Sequence, residues 1–559
     1  MSQRPHPELV VDGYPSRRPR WVELATSADH KDLGRILVTG SLGFLVLAAL
    51  QLLLMRLQLA IPENSFLSPV TFNRLLSSYG TTAVFLFALP LAFGFLYYVA
   101  PLQIGARGTA LPRVGQTGVA LWVAGAAVLY ATFLFTPSEA GINPLAPLTE
   151  AAYTADNGVN AWITGTGLAT LGLVLLAIDL ATTVRNLRAP GMAWRRLPVF
   201  SWVAAVASWL MLFIGPVLLA ALTMLMLDRN YDAFFFTDGG GGAPLLWQHL
   251  SWIFFAGAYM LVVIFAFGAI AEVFSTFAGR PLPSRAVTMA SLAAIAVIGT
   301  LAWMQNMLTS PIGIGWMYFA MLMSLALVVP VGLVFYNLIG TVSGGVGPSR
   351  APLLYAAGAV FALSVGLAAE LSHSLVGAAW NLKGTTDSTA ATHFALGGGA
   401  LLGGLAALHY WFPKMTGRTM GEAMARISFW AILVGLVVTF APLFVTGAGE
   451  GQVIDAYKYY AGEGMSGWNL VSTIGSLLLL LGIVLALLNA IFSRTGGPRA
   501  GHDPWGGETL EWLALSPPDP HNFDVLPDVR SARPLRDIRA AVAKREGRAE
   551  PAGESRPVG

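Results

Sequence analysis

Twelve stretches of about twenty predominantly apolar residues run through the chain, near 34–55, 80–100, 117–136, 162–185, 199–226, 246–275, 288–308, 313–341, 352–373, 391–412, 427–447 and 469–493. A helix rises ~1.5 Å per residue, so each stretch is long enough to cross the roughly 30 Å of hydrocarbon in a bilayer. A helix also satisfies every backbone N–H and C=O within the segment, which lipid demands. The chain therefore reads as an all-α integral membrane protein with about twelve transmembrane helices. A composition of 55% hydrophobic and 11% charged residues over 559 positions agrees with a polytopic protein and excludes a water-soluble core.

The loops alternate in charge. Those on the side of the N-terminus carry Arg107, Arg113, Arg185, Arg188, Arg195, Arg196, Arg280, Arg285, Arg350, Lys414, Arg418 and Arg426, whereas the opposite loops carry Arg56, Arg74, Arg229, Lys383 and Lys458. The positive-inside bias places both termini in the cytoplasm, with the chain in the cell (inner) membrane. The formal charge of +3 is scattered over loops and tails without a continuous basic face, so membrane lipid and no nucleic acid is expected as partner. Residues 1–33 read as an uncleaved cytoplasmic N-terminal tail, since they lack the apolar core of a signal peptide. Residues 34–493 form one membrane domain, and 494–559 a Pro/Gly-rich, charged cytoplasmic tail expected to be partly disordered. With no cysteine, there are no disulfides and no thiolate metal ligands, so redox work would need histidine or a partner's ligands.

Several strings, correctly ordered over roughly residues 30–530, resemble subunit I of the haem-copper oxidases. They are His30-Lys31-Asp32-Leu33-Gly34 before the first helix and Pro101-Leu102-Gln103-Ile104-Gly105-Ala106 after the second. Asn186 to Met192 and Thr223 to Asn230 flank the fifth, and Leu246-Trp247-Gln248-His249-Leu250 opens the sixth. Trp411-Phe412-Pro413-Lys414-Met415 and the tail string Ser516 to Phe523 follow. The resemblance implies a twelve-helix bundle that packs cofactors between facing helices and works beside oxidase subunits II and III.

An oxidase of that family uses six membrane-embedded imidazoles for two haems and a copper ion. This chain has eight histidines, and outside the tails and helix entry only His249, His373, His393 and His409 remain. Anchored on the flanking strings, the family's copper-ligand positions fall on Ala256, Gln305 and Asn306, and its high-spin haem ligand on Ala391. The low-spin haem positions fall on His393 and, counted back from Pro90, on Tyr79. The proton-route positions fall on Gly108, Val334 and Ala258. The propionate arginines fall within Gly449 to Val453, and the H-D pair near a divalent ion falls on Lys383 and Gly384. One axial ligand of three persists.

His393 and Tyr79 are the cofactor-binding candidates, since phenolate ligates haem iron; the plainer reading is a packing histidine. His409 and His373 read as interfacial or core-polar, His249 as structural, and Glu272 as part of the family's S-E-V-I-S-T string. His30 to Asp32 read as the cap of the first helix. Glu370 and His373, at i and i+3 on one face, are ionisable at membrane depth and so a candidate functional pair. Gly397, Gly398, Gly399, Gly403 and Gly404 suggest a tenth helix packed tightly on its neighbours in a collapsed bundle.

The expectation is a subunit I-like protein without catalytic residues or metal, unable to reduce oxygen, acting as a structural, assembly or regulatory subunit of a respiratory complex. No cofactor is expected. The alternatives are one haem on His393 and Tyr79 in an electron carrier, a functional terminal oxidase subunit, or a channel or transporter using Glu370 and His373.

Overall fold

A computed structural model describes residues 26–546 apart from 524 and 527. Twelve helices in it are long and apolar enough to cross a membrane. We number them α1 (His30–Gln58), α2 (Pro69–Gln103), α3 (Pro112–Leu134), α4 (Gly158–Asn186), α5 (Val199–Tyr231), α6 (Pro244–Ala278), α7 (Arg285–Met307), α8 (Ile314–Val342), α9 (Ala351–Ser372), α10 (Thr386–Thr416), α11 (Glu422–Ala448) and α12 (Ser466–Gly496). A further helix, α13 (Pro534–Arg545), lies in the C-terminal segment.

Local chemistry sets the ends. Pro69 stands at the start of α2, where its missing N–H is no loss, and Ser68 Oγ accepts from the Thr71 N–H. The helix thus begins at residue 69 rather than 80, and Tyr79 sits inside it. The cap of α1 is Asp29, which accepts from the Lys31 N–H. Asp32 lies in the first turn instead, bonded by Ser27 Oγ and Arg35. His30 and Lys31 are buried beneath the C-terminal segment: Lys31 Nζ donates to Asn522 Oδ1 at 2.9 Å and to the Pro520 carbonyl at 3.1 Å.

Consecutive spans from α3 to α7 and from α9 to α12 pack side by side, and α12 returns against α1. The centre belongs to α2, α6 and α10, the most deeply buried of the spans, whereas α8 is the most exposed. Two of these three depart from α-helix. Thr82–Ala88 in α2 and Gly397–Gly403 in α10 wind as wider π-helix, and the two stretches touch. Such turns are rare and concentrate at functional sites.

The described part of the C-terminal segment differs from the expected partly disordered tail. Leu510, Trp512, Phe523, Val529 and Leu535 are buried against the bundle. Trp505 Nε1 donates to the Tyr410 carbonyl at 2.8 Å, and Glu511 is wholly buried beside Gln103. The apolar residues between the prolines supply a docking face that composition alone hides. Residues 1–25, in the N-terminal tail, and 547–559 lie outside the described part.

Candidate functional site

At the centre of the bundle Tyr79 of α2 faces His393 of α10. The Tyr79 hydroxyl lies 2.5 Å from His393 Nε2, and His393 Nδ1 lies 2.7 Å from the Thr389 carbonyl. A carbonyl only accepts, so Nδ1 carries the proton of the neutral ring and Nε2 accepts from the phenol. The rings of Tyr79 and His393 are within 6° of parallel, and Phe440 of α11 covers the imidazole at 4.3 Å. Both imidazole nitrogens are therefore engaged. The two residues inferred from residue counting do meet.

They line one cavity of about 1020 Å³. Ala256, Gln305 and Asn306 lie on its wall too, so the structure gathers five of the six singled-out positions around one space. Ala391 is fully buried but off that wall. The cavity corrects the expected collapse of the bundle. Close packing holds at the glycines themselves: a Cβ on Gly398 would stand 2.6 Å from the Leu363 backbone nitrogen, and one on Gly404 2.6 Å from Leu91. These contacts clamp α10 locally and leave the neighbouring space open.

The end of the cavity remote from the tails is polar. His373 Nε2 lies 2.6 Å from Asp387 Oδ1, and its Nδ1 3.6 Å from Glu370 Oε2. Burial opposes the charged imidazole, but the hydrogen bonds and charges of Asp387 and Glu370 outweigh it and hold His373 up at about 9. Lys383 is pulled down by burial to about 8, against the opposing charge of Glu370. Thr392 Oγ1 donates to Glu370 Oε1 at 3.1 Å, and Gln305 Nε2 to the Glu370 carbonyl at 3.2 Å. Lys383 Nζ reaches Asn306 Oδ1 at 3.5 Å. The expected Glu370–His373 pair is thus a triad in which Asp387 is the nearer partner.

Asp387 escaped the sequence reading because it opens α10, beyond the loop that follows His373; its spacing from Glu370 matches no helical period. Asp179 was also missed. Buried in α4, it accepts from Tyr97 Oη and from the Leu111 N–H, tying α4 to α2 and to the entry of α3. The only sequence signal was an acid in an apolar run. His249 accepts from Trp303 Nε1 at 3.2 Å, as a structural residue would. His409 lies well inside α10, stacked on Tyr355 at 4.7 Å, and so is core-polar rather than interfacial. Glu272 accepts from the Phe200 N–H at 3.2 Å. Val334 and Ala258 are buried.

A family model described as cytochrome c and quinol oxidase polypeptide I matches residues 32–478. This chain belongs to that family. Among its relatives in the family, cytochrome c oxidase subunit 1 of Bacillus subtilis is 34% identical over 514 residues, covering 91% of this chain and 82% of that one. A probable cytochrome c oxidase subunit 1-beta of Nocardia farcinica is 34% identical over 521 residues, covering 92% and 88%. A haem-copper oxidase subunit I+III of Aeropyrum pernix is 33% identical over 517 residues, covering 91% of this chain and 62% of its own length. The fold is also that of a chain solved by cryo-electron microscopy in a haem-copper terminal oxidase dimer, with a TM-score of 0.71 at 13% identity over 83% of this chain and 84% of that one. The chain is thus a multi-pass, haem-copper oxidase subunit I-like membrane protein.

Proposed function

We propose that this subunit I relative does not reduce oxygen itself and serves as a structural, assembly or regulatory subunit, beside subunits II and III or their homologues, in a respiratory membrane complex. The observation that carries this reading is the Tyr79–His393 hydrogen bond. Two axial ligands of one iron stand about 4 Å apart, twice a metal–nitrogen bond of roughly 2 Å. At 2.5 Å these two atoms form a hydrogen-bonded pair and do not fit a haem between them. The copper-ligand positions fit no better. Ala256 offers a methyl group, and Gln305 and Asn306 offer carboxamides bonded to Glu370, Ser324 and Lys383. Copper sites want imidazole or thiolate.

Shape and surface are what such a subunit keeps. The spans, the docked tail and the family strings around them persist, while the copper and high-spin positions hold alanine and carboxamides and the one remaining imidazole is engaged by Tyr79. A pyridine haemochrome assay with copper analysis on the purified chain tests this: neither haem nor copper is expected in stoichiometric amount.

A second reading is favoured by the way Tyr79 and His393 face one another. If the phenol swings off the imidazole, His393 Nε2 becomes free for one haem, and the chain would carry electrons. His393→Ala would then abolish a Soret band present in the parent protein.

A further inference from the structure

We propose that the central cavity takes up an anionic acyl lipid from the surrounding bilayer, its head held at Arg56 and its chain lying toward α8 and α9. This rests on the reading that no haem occupies the space. The cavity is open sideways. Val328 of α8 is 49% exposed, Ser364 and Ala368 of α9 are exposed as well, and all three belong to the cavity wall. Val328 lies mid-way along Ile314–Val342, and Ser364 past the middle of Ala351–Ser372, so the opening stands within the depth of the hydrocarbon. A ligand entering there comes from the membrane.

Its volume, about 1020 Å³, stands at the upper end of the ~300–1,000 Å³ of ordinary ligand pockets and leaves room for a chain. An acyl chain moving from lipid into an apolar cavity gains no hydrophobic transfer energy. Selection must therefore come from the head group, and the polar end shows what it selects.

In that rim Glu370 and Asp387 flank His373, and Glu370 also faces Lys383, so two carboxylates stand against two cations. Arg56 is left over. It is 5% exposed, lines the cavity, and has no ion-pair partner among the described residues. One terminal nitrogen donates to Asn469 Oδ1 at 2.5 Å, while its Nε has no hydrogen-bond partner. The hydroxyl of Tyr259, on the same wall, is also buried and unpartnered. A buried guanidinium that lines the cavity without an ion-pair partner among the described residues fits an anionic oxygen acceptor.

The test is native mass spectrometry of the full-length chain, delipidated in detergent and titrated with phosphatidylglycerol or with phosphatidylcholine of the same acyl chains. One phosphatidylglycerol retained per chain is expected, with phosphatidylcholine lost. Arg56→Gln should weaken retention roughly tenfold, the scale of one charge-assisted hydrogen bond. Ala368→Trp, a lipid-facing change that narrows the opening without touching the rim, should abolish it. Equal retention of the two lipids, or retention unchanged in both variants, would overturn the proposal. An absorption spectrum of the same preparation separates the two readings: a stoichiometric Soret band defeats the parent reading and the lipid site together, whereas unselective binding without that band defeats the lipid site alone.

Discussion

Tyr79 and His393 come from spans remote in sequence, yet their rings lie within 6° of parallel and share a 2.5 Å hydrogen bond at the centre of the bundle. Each satisfies the other's polar group. Tyr79→Phe leaves the half-buried Nε2 without its partner, which should cost about 1 kcal/mol. The double variant Tyr79→Phe, His393→Leu should recover much of that loss, because it removes both polar partners. A double-mutant cycle by denaturation in detergent measures the coupling.

The Glu370–His373–Asp387 triad makes stability depend on pH. His373 rises from 6.5 to about 9, so its contribution is complete below pH 6.5 and is lost as the pH climbs through 9. Lys383 acts in the opposite sense: its ammonium is disfavoured below about 8, a penalty relieved toward 10.5. A net fall on the order of 2 kcal/mol is expected between pH 6.5 and 9. Melting curves over that range should show it in the parent protein and a flatter profile in Asp387→Asn.

Helix contact depends on missing side chains at particular glycines. A Cβ on Gly366 would lie 2.3 Å from the Ala395 backbone nitrogen, where α9 meets α10. Gly366→Ala should therefore destabilise by about 1–3 kcal/mol through overpacking. Gly377, with nothing within 4 Å of such an atom, is the control, and Gly377→Ala should leave the melting temperature unchanged or raise it.

The docked C-terminal segment buries an acid. Burial pushes Glu511 above the ordinary carboxylate range, although Gln103 and other donors oppose the shift. An acid raised in this way is most favourable when protonated, so docking should weaken as the pH climbs through its raised value. Limited proteolysis across a pH series should find the segment around 497–546 increasingly cleaved in the parent protein. Glu511→Gln should remove that dependence.

Much of this architecture was legible because lipid imposes a simple rule on the chain: apolar runs near 20 residues must be helices. All twelve were placed, and the errors fell at ends governed by caps, such as Ser68. The meeting of Tyr79 and His393 followed from residue counts to Pro90 and Trp411. What stayed hidden was tertiary. The partnership of His373 with Asp387 crosses a loop, the docking of Leu510 and Trp512 depends on a surface made elsewhere, and the cavity persists although five glycines suggested closure. Glycine reports how near a neighbour comes at one position and says nothing of the volume beyond it.

Metal content of the purified chain bears most directly on the account. We expect no stoichiometric haem by pyridine haemochrome and no copper by elemental analysis, since a phenol, one engaged imidazole, two carboxamides and two methyl groups hold the positions in question. Two haems and one copper per chain would contradict it.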